Sequence, residues 1–330
     1  MQSGILKIQL LFLSMAGLFH PALMKPAISL EILQTVSRGV FVPETLSTQL
    51  AESPNFDSVG MLQISGGLGS GTLIGPQWVI TAAHVISNSG GRHNLSSATF
   101  SLKGNLYTAD YAEVLPSWSG NSGQGNDLAL VHLTSPVSAV AASEFRIQTS
   151  DLTNAYVTFV GFGLGGDGQS GFIPGTGGVK RAGTNFLDYN GTILGLNSSI
   201  YLADFDSGLD SNNVLGSAAP TDFESILTPG DSGGGVFMLY NGQTILVGVN
   251  SFMASTTGSA DGRYGNLGGF QAIGPQLAWV QSITQVPEPA SIVLGVVCAL
   301  IGWWAIEKQA GRQSKQQLPL ATTTKPKRIS

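Results

Sequence analysis

Three short segments of the chain carry side chains that together can do covalent chemistry. In Gly69-Ser70-Gly71-Thr72-Leu73-Ile74-Gly75-Pro76-Gln77-Trp78-Val79-Ile80-Thr81-Ala82-Ala83-His84, two strand-like runs deliver a histidine just past a strand end. Asn126-Asp127-Leu128-Ala129-Leu130-Val131 places an acid immediately before a buried strand, and Gly230-Asp231-Ser232-Gly233-Gly234 is a loop whose small residues let a serine face a substrate. A serine hydroxyl is a poor nucleophile at neutral pH. An imidazole within hydrogen-bond reach takes its proton during attack, and a buried carboxylate stabilises the resulting cation and fixes the tautomer. Taken singly, each segment reads as ordinary structure: a histidine after a strand, an Asn-Asp turn, a flexible glycine loop. The order His, Asp, Ser, with separations of 43 and 105 residues, is what makes them informative.

Other patterns carry less. Gly161-x-Gly163-x-x-Gly166 fits a dinucleotide fingerprint, but residues 167–178 are studded with glycine and include Pro174, so no helix follows to receive a pyrophosphate. Asp204, Asp206 and Asp210 around Gly208 raise the question of calcium. Their spacing misses the standard loop, so a solvated acidic face is expected and no metal is assigned. His93 and His132 read as surface or packing residues.

The elements that must position these groups are strands. Short apolar runs at 59–64, 71–75, 78–82, 98–103, 128–133, 156–161, 235–240 and 244–251 are separated by Gly, Asn, Asp and Pro clusters, and Asn241-Gly242 is a strong hairpin signal. Helical periodicity is confined to 275–285, after Pro275. This pattern predicts an all-β sandwich or barrel rather than a parallel sheet. Only 11% of the 330 residues are charged, which excludes a coiled coil or a charge-driven disordered chain. Between 30 and 306 stand seven basic and 19 acidic residues, a balance that repels polynucleotides. Cys298 is the sole cysteine, so no intramolecular disulfide forms and the fold must hold by packing.

In their order the three chemical segments resemble the trypsin-like, chymotrypsin-fold serine peptidases. Further similarity runs through Val160-Gly161-Phe162-Gly163, through Val249-Asn250-Ser251-Phe252, like the strand that pairs with bound peptide, and through Gly268-Gly269-Phe270 followed by Trp279, over roughly 57–283. The resemblance implies two antiparallel six-stranded β-barrels, a short C-terminal helix and an active site in the cleft between the barrels. It implies His84 as general base, Asp127 as its orienting carboxylate, Ser232 as nucleophile, the N–H groups of Gly230 and Ser232 as oxyanion hole, and no cofactor or metal. It also places Ile226 at the floor of the primary specificity pocket, Gly268 on one wall, Met253 where it narrows the pocket, and Ser251 and Phe252 beside the substrate backbone. With no acid at the floor, a Lys or Arg side chain would be buried unpaired, so cleavage after small or medium apolar residues is expected. The family frees an N-terminal amine that pairs with the acid before the nucleophile, here Asp231, and Arg38-Gly39-Val40 is the candidate cleavage point. A surface binding or matrix protein that kept the fold without turnover, and an esterase using the same acyl chemistry, are the alternatives.

The chain ends read as targeting segments. An apolar stretch at 8–19 behind Lys7, with Ala27-Ile28-Ser29 after it, predicts a signal peptide over 1–29, followed by an N-terminal extension or propeptide over 30–56 and the peptidase domain over 57–285. Val286-Pro287-Glu288-Pro289, an apolar run over 292–306 and then Lys308, Arg312 and Lys315 resemble the PEP-CTERM sorting signal of exported bacterial proteins. That resemblance implies a transmembrane helix over 292–306 within a sorting segment over 286–330, an exosortase-type processing partner, contact with the inner membrane, and a final place in the envelope or outside the cell.

Overall fold

A computed structural model of the chain describes residues 44–145, 151–216, 219–256 and 258–284. Helix α1 (Glu44–Ala51) leads into six antiparallel strands: β1 (Val59–Ile64), β2 (Gly67–Gly75), β3 (Trp78–Thr81), β4 (Gly91–Leu102), β5 (Asn105–Val114) and β6 (Ala129–Leu133). They close into a barrel in the order β1-β2-β3-β6-β5-β4. Alternation along each strand sends Leu62, Leu73, Val79, Phe100, Val131 and Leu133 into one apolar core. Each such side chain contributes roughly 1.5–3 kcal/mol by leaving water, enough to hold the barrel without a disulfide.

The second half comprises β7 (Ala155–Gly161), the two-residue strands β8 (Gly166–Asp167) and β9 (Gly171–Phe172), β10 (Arg181–Leu187), β11 (Tyr189–Asn190), β12 (Ile200–Asp204), β13 (Gly235–Tyr240), β14 (Gln243–Ser255) and β15 (Asn266–Ala272), and ends in helix α2 (Leu277–Thr284). Seven of the strands form a sheet in the order β10-β7-β13-β14-β15-β12-β11, around a core that includes Val157, Phe159, Tyr201, Met253 and Phe270. Tyr240 pairs with Gln243 across Asn241 (φ 50°) and Gly242 (φ 78°), the left-handed pair that a tight hairpin turn requires.

This sheet does not close, which corrects the expected second six-stranded barrel. The outer edge of β10 is taken by the segment before the loop 230–234: Thr184 N donates to Phe223 O at 2.7 Å. A side chain at Gly183 would collide with Ser225, which shows how tightly that segment is wedged in. Side chains complete the gap instead. Asn185 Nδ2 donates to Asp204 O at 2.8 Å and to Ser225 O at 3.0 Å, and Asp204 N donates to Asp188 Oδ2 at 2.9 Å.

Residues 44–56, expected to belong to an extension, pack on the domain: Ser47 Oγ donates to Ala182 O on β10, and the Phe56 ring lies 5.1 Å from that of Phe237. Among the described residues no helix is long and apolar enough to cross a membrane. The expected signal peptide, sorting segment and helix 292–306 lie outside the described residues.

Candidate active site

β3 ends at Thr81, and a single helical turn, Ala83–Val85, carries His84 into the space between the two halves. Asn126, in a left-handed conformation (φ 63°), turns the chain so that Asp127 points under that histidine before β6 begins. The acid grips His84 twice: the backbone N–H of His84 donates to Asp127 Oδ1 at 2.9 Å, and Nδ1 stands 2.7 Å from Oδ2. Nε2, the other ring nitrogen, is 2.9 Å from Ser232 Oγ. Asp127 is fully buried, and it also accepts from Ser251 Oγ at 2.5 Å. Burial works against its charge, yet the His84 imidazole and the Ser251 hydroxyl hold its carboxyl below the usual carboxylate range. A serine hydroxyl on an imidazole that is backed by a buried carboxylate is the arrangement that strips the serine proton during attack on a carbonyl.

The loop that carries Ser232 is held by both halves. Gly233 (φ 83°) must be glycine, because a Cβ there would stand 1.9 Å from Thr81 Oγ1 and 2.4 Å from Ser70 O. Its N–H donates to Asn250 O at 2.8 Å on β14. Ser70 on β2 ties the loop from the other side. Its N–H donates to Ser232 O at 2.8 Å, and its hydroxyl donates to Gly230 O at 2.8 Å while accepting from Phe162 N at 2.9 Å. Gly230 has φ 101°, and its N–H makes no hydrogen bond among the described residues.

The expected substrate residues cluster at one end of β14 and β15. Met253 pairs with Gly268, and the tip of Ile226 lies 3.0 Å from where a Cβ on Gly268 would stand. Both Ile226 and Met253 are buried, so the space that Gly268 leaves open is already partly filled. Ser251 sits at a register shift between Asn250 and Phe252 and turns to Asp127. Phe252 is buried against Ile200, Leu202 and Leu267, and its ring fills the volume that a side chain at Gly269 would need.

Three residues outside the expected set hold the site. Ser70 stood in the quoted Gly-Ser-Gly run, but nothing in its type announces a role. Gln271 on β15 accepts from Asp127 N at 3.3 Å and so ties the two halves, with no sequence signal at all. Thr228 binds Asp231: its N–H and Oγ1 donate to Oδ2 at 2.9 and 2.8 Å, while Gly163 N donates to Oδ1 at 2.7 Å. The glycines of the apparent dinucleotide fingerprint serve this contact. A Cβ on Gly161 or Gly163 would fall 2.3 or 2.5 Å from an Asp231 carboxylate oxygen.

The acidic group expected on a solvated face is corrected: Asp204 and Asp206 are buried, and only Asp210 is exposed. Asp204 Oδ2 accepts from Leu215 N, and Glu224 accepts from Thr221 through N and Oγ1 at 2.8 and 2.9 Å. Burial, with Asp204 nearby, pushes Asp206 up to about 7, and burial, with Asp206 nearby, pushes Glu224 up to about 8 against the pull of the Thr221 hydrogen bonds. Among the described residues no three His, Cys, Asp or Glu side chains are placed to hold a metal ion. His132 lies between Trp78 and Tyr111 and bonds Asp110 at 2.8 Å, away from the triad.

A sequence profile of the Trypsin family matches residues 46–280. The chain is 30% identical over 212 residues to chymotrypsin-like elastase family member 1 of Bos taurus, an alignment that covers 56% of this chain and 68% of the elastase.

Proposed function

Because the chain belongs to the trypsin family, we propose that it is a serine endopeptidase that hydrolyses peptide bonds through an acyl-enzyme. The observation that carries this reading is the unbroken hydrogen-bond chain from Asp127 through His84 to Ser232, drawn from both halves of the fold. Ser232 Oγ attacks the scissile carbonyl as His84 Nε2 takes its proton. Asp127 holds the imidazole with Nε2 free to accept and stabilises the cation that forms. The carbonyl oxygen, now negative, is received by the N–H groups of Gly230 and Ser232. His84 then gives its proton to the leaving amine, and a water deprotonated by the same imidazole attacks the acyl-enzyme and releases the acid product. The chemistry calls for no cofactor.

The substrate residue before the cut is small or medium and apolar. Ile226 and Met253 fill the pocket beside Gly268, and neither can balance a cation. The substrate backbone runs along β14 past Ser251 and Phe252. Peptide-library profiling tests this: cleavage after residues such as Ala or Val is expected, lost in Ser232→Ala. A dominant Arg or Lys preference would overturn the pocket assignment, and hydrolysis of esters without peptide cleavage would favour the esterase reading.

The sequence of the chain ends supports a place outside the cytoplasm. A signal peptide over 1–29 directs export, and the segment 286–330 holds the chain at the inner membrane until an exosortase-type enzyme cuts near Pro287–Pro289. A run of about 15 apolar residues is short for a permanent span, which suits transient retention. Deletion of 286–330 should release a soluble, active enzyme, and intact mass after fractionation decides between processing and a retained anchor.

A further inference from the structure

Each of the two N–H groups proposed to receive the oxyanion belongs to a peptide unit whose carbonyl points the opposite way, because a trans peptide sets C=O and N–H antiparallel. Whatever holds that carbonyl therefore aims the N–H. The Gly230 N–H shares its peptide with Pro229 O, which accepts from Leu164 N at 3.0 Å, a main-chain bond that needs no particular side chain. The Ser232 N–H shares its peptide with Asp231 O, and this carbonyl accepts twice: from Gly234 N at 2.9 Å and from Nδ2 of Asn250 on β14 at 3.2 Å. The first bond closes the turn Asp231–Gly234 on itself, so it fixes the shape of the turn and leaves its tilt open. The second ties the turn to the sheet.

Asn250 grips the loop on both sides of Ser232. Its N–H donates to Gly234 O at 2.9 Å and its carbonyl accepts from Gly233 N at 2.8 Å, while the side chain reaches Asp231 O. The other amide hydrogen goes to Val160 O on β7 at 3.3 Å, so the side chain is anchored in the sheet as it holds the turn. Two carbonyls facing the same group fix which end of the amide is nitrogen. The arrangement has a cost. Asn250 is fully buried and its Oδ1 has no hydrogen-bond partner among the described residues, which an apolar side chain of similar shape would avoid. Room for the amide is kept by Gly234, where a Cβ would stand 2.9 Å from Nδ2 and 2.1 Å from Val160 O.

We infer that Asn250 is a positioning residue of the reaction: by holding Asp231 O from the sheet, its side chain aims the Ser232 N–H at the oxyanion. The inference rests on the peptidase reading and deepens it. A donor aimed at the oxyanion acts most strongly as negative charge develops, so its misalignment falls on the chemical step rather than on substrate binding.

The test uses the full chain and a peptidyl trifluoromethyl ketone ending in alanine. Ser232 Oγ adds to the ketone carbon, His84 takes the serine proton, and the new hemiketal oxygen lies where the oxyanion forms. The pH at which that oxygen ionises, followed by fluorine NMR, therefore reads its stabilisation directly. Asn250→Leu should lower kcat by about tenfold or more with KM within about twofold, and the hemiketal should ionise about one pH unit higher. Asn250→Asp keeps the shape with at most one donor and carries the test if the leucine variant fails to fold; it should move both readings the same way. Leu102→Ala, a truncation in the core of the closed barrel, should lower the melting temperature and leave both readings where they are. A folded Asn250→Leu or Asn250→Asp enzyme with the parent's kcat and hemiketal ionisation would overturn the inference and leave the peptidase reading standing. A parent chain that hydrolyses no peptide and takes no fluorophosphonate at Ser232 would overturn both.

Discussion

The two halves of the molecule complete themselves by different means. The first barrel is hydrogen-bonded through the main chain all the way round, whereas the second sheet ends at β10 and β11, and the gap between β10 and β12 is finished by Asn185, Asp188 and a wedged segment over 223–225. The proposed chemistry is divided along the same line. The closed half carries the proposed base, His84, and acid, Asp127, groups that must keep one fixed separation, and the open half carries Ser232 and the strands proposed to meet substrate. Closure by main-chain bonds tolerates changes of side chain. Closure by side chains leaves polar groups in the seam, and their loss or ionisation should be felt there first.

The largest expected effect lies where the halves meet. Ser232→Ala and His84→Ala should each lower kcat by about 10⁶, since the members of such a unit fail together, and Asp127→Asn by about 10⁴ with substrate binding largely kept. Steady-state kinetics on the best library peptide checks this, and a His84→Ala enzyme near wild type would separate the closed half from the chemistry.

Next in size is the pocket of the open half. Met253→Ala should cost roughly 2–5 kcal/mol of stability by leaving a cavity in the core. The same vacancy should shift cleavage toward larger apolar residues before the cut. Loss of stability without any change in the library profile would place Met253 in packing alone.

The seam itself is weaker. Asn185→Ala should cost about 1–3 kcal/mol, because Asp204 O and Ser225 O lose a buried donor. On the outer face of the closed barrel, Thr108→Ala should cost little, since Thr108 is exposed and its carbonyl, not its side chain, accepts from Thr134 N. Equal losses in chemical denaturation would remove the distinction between the two modes of closure.

The last effect, spread over several pH units, is a pH slope. From about pH 4, where unfolded carboxylates ionise, to the raised values of Asp206 and Glu224, the folded chain keeps protons that the unfolded chain has released. Stability should therefore fall as pH rises through that window and level off above about pH 8, by at most ~1.4 kcal/mol per pH unit for each group. Glu224→Gln should flatten part of the slope and be more stable than the parent at pH 8. Thermal melts from pH 5 to 8 check the sign, and a rise in stability over that range would contradict it.

What the sequence disclosed follows the same division. β1 and β13 fall on their expected ranges, and order and spacing singled out His84, Asp127 and Ser232, which the structure joins by hydrogen bonds and for which the triad roles are proposed. β5 was missed because Thr108, Asp110 and Glu113 interrupt its apolar run, β10 because Gly183, Thr184 and Asn185 serve the seam rather than a strand pattern, and β12 because its apolar run, Ile200 to Ala203, is short and ends at Asp204. Gln271 acts on a partner 144 residues away in the chain, Asp127, so no local pattern marks it, whereas Thr228 stands only three residues before its partner Asp231. The expected solvated acids are buried because the side-chain seam draws them in, a tertiary demand that composition does not record.

One measurement bears most directly on Ser232 as a nucleophile activated across the two halves. The purified protein, treated with a fluorophosphonate probe and digested for mass spectrometry, should carry one label per chain, on Ser232, with labelling lost in Ser232→Ala and nearly lost in His84→Ala. Absence of label on a folded chain, or a label that persists in Ser232→Ala, would contradict the account.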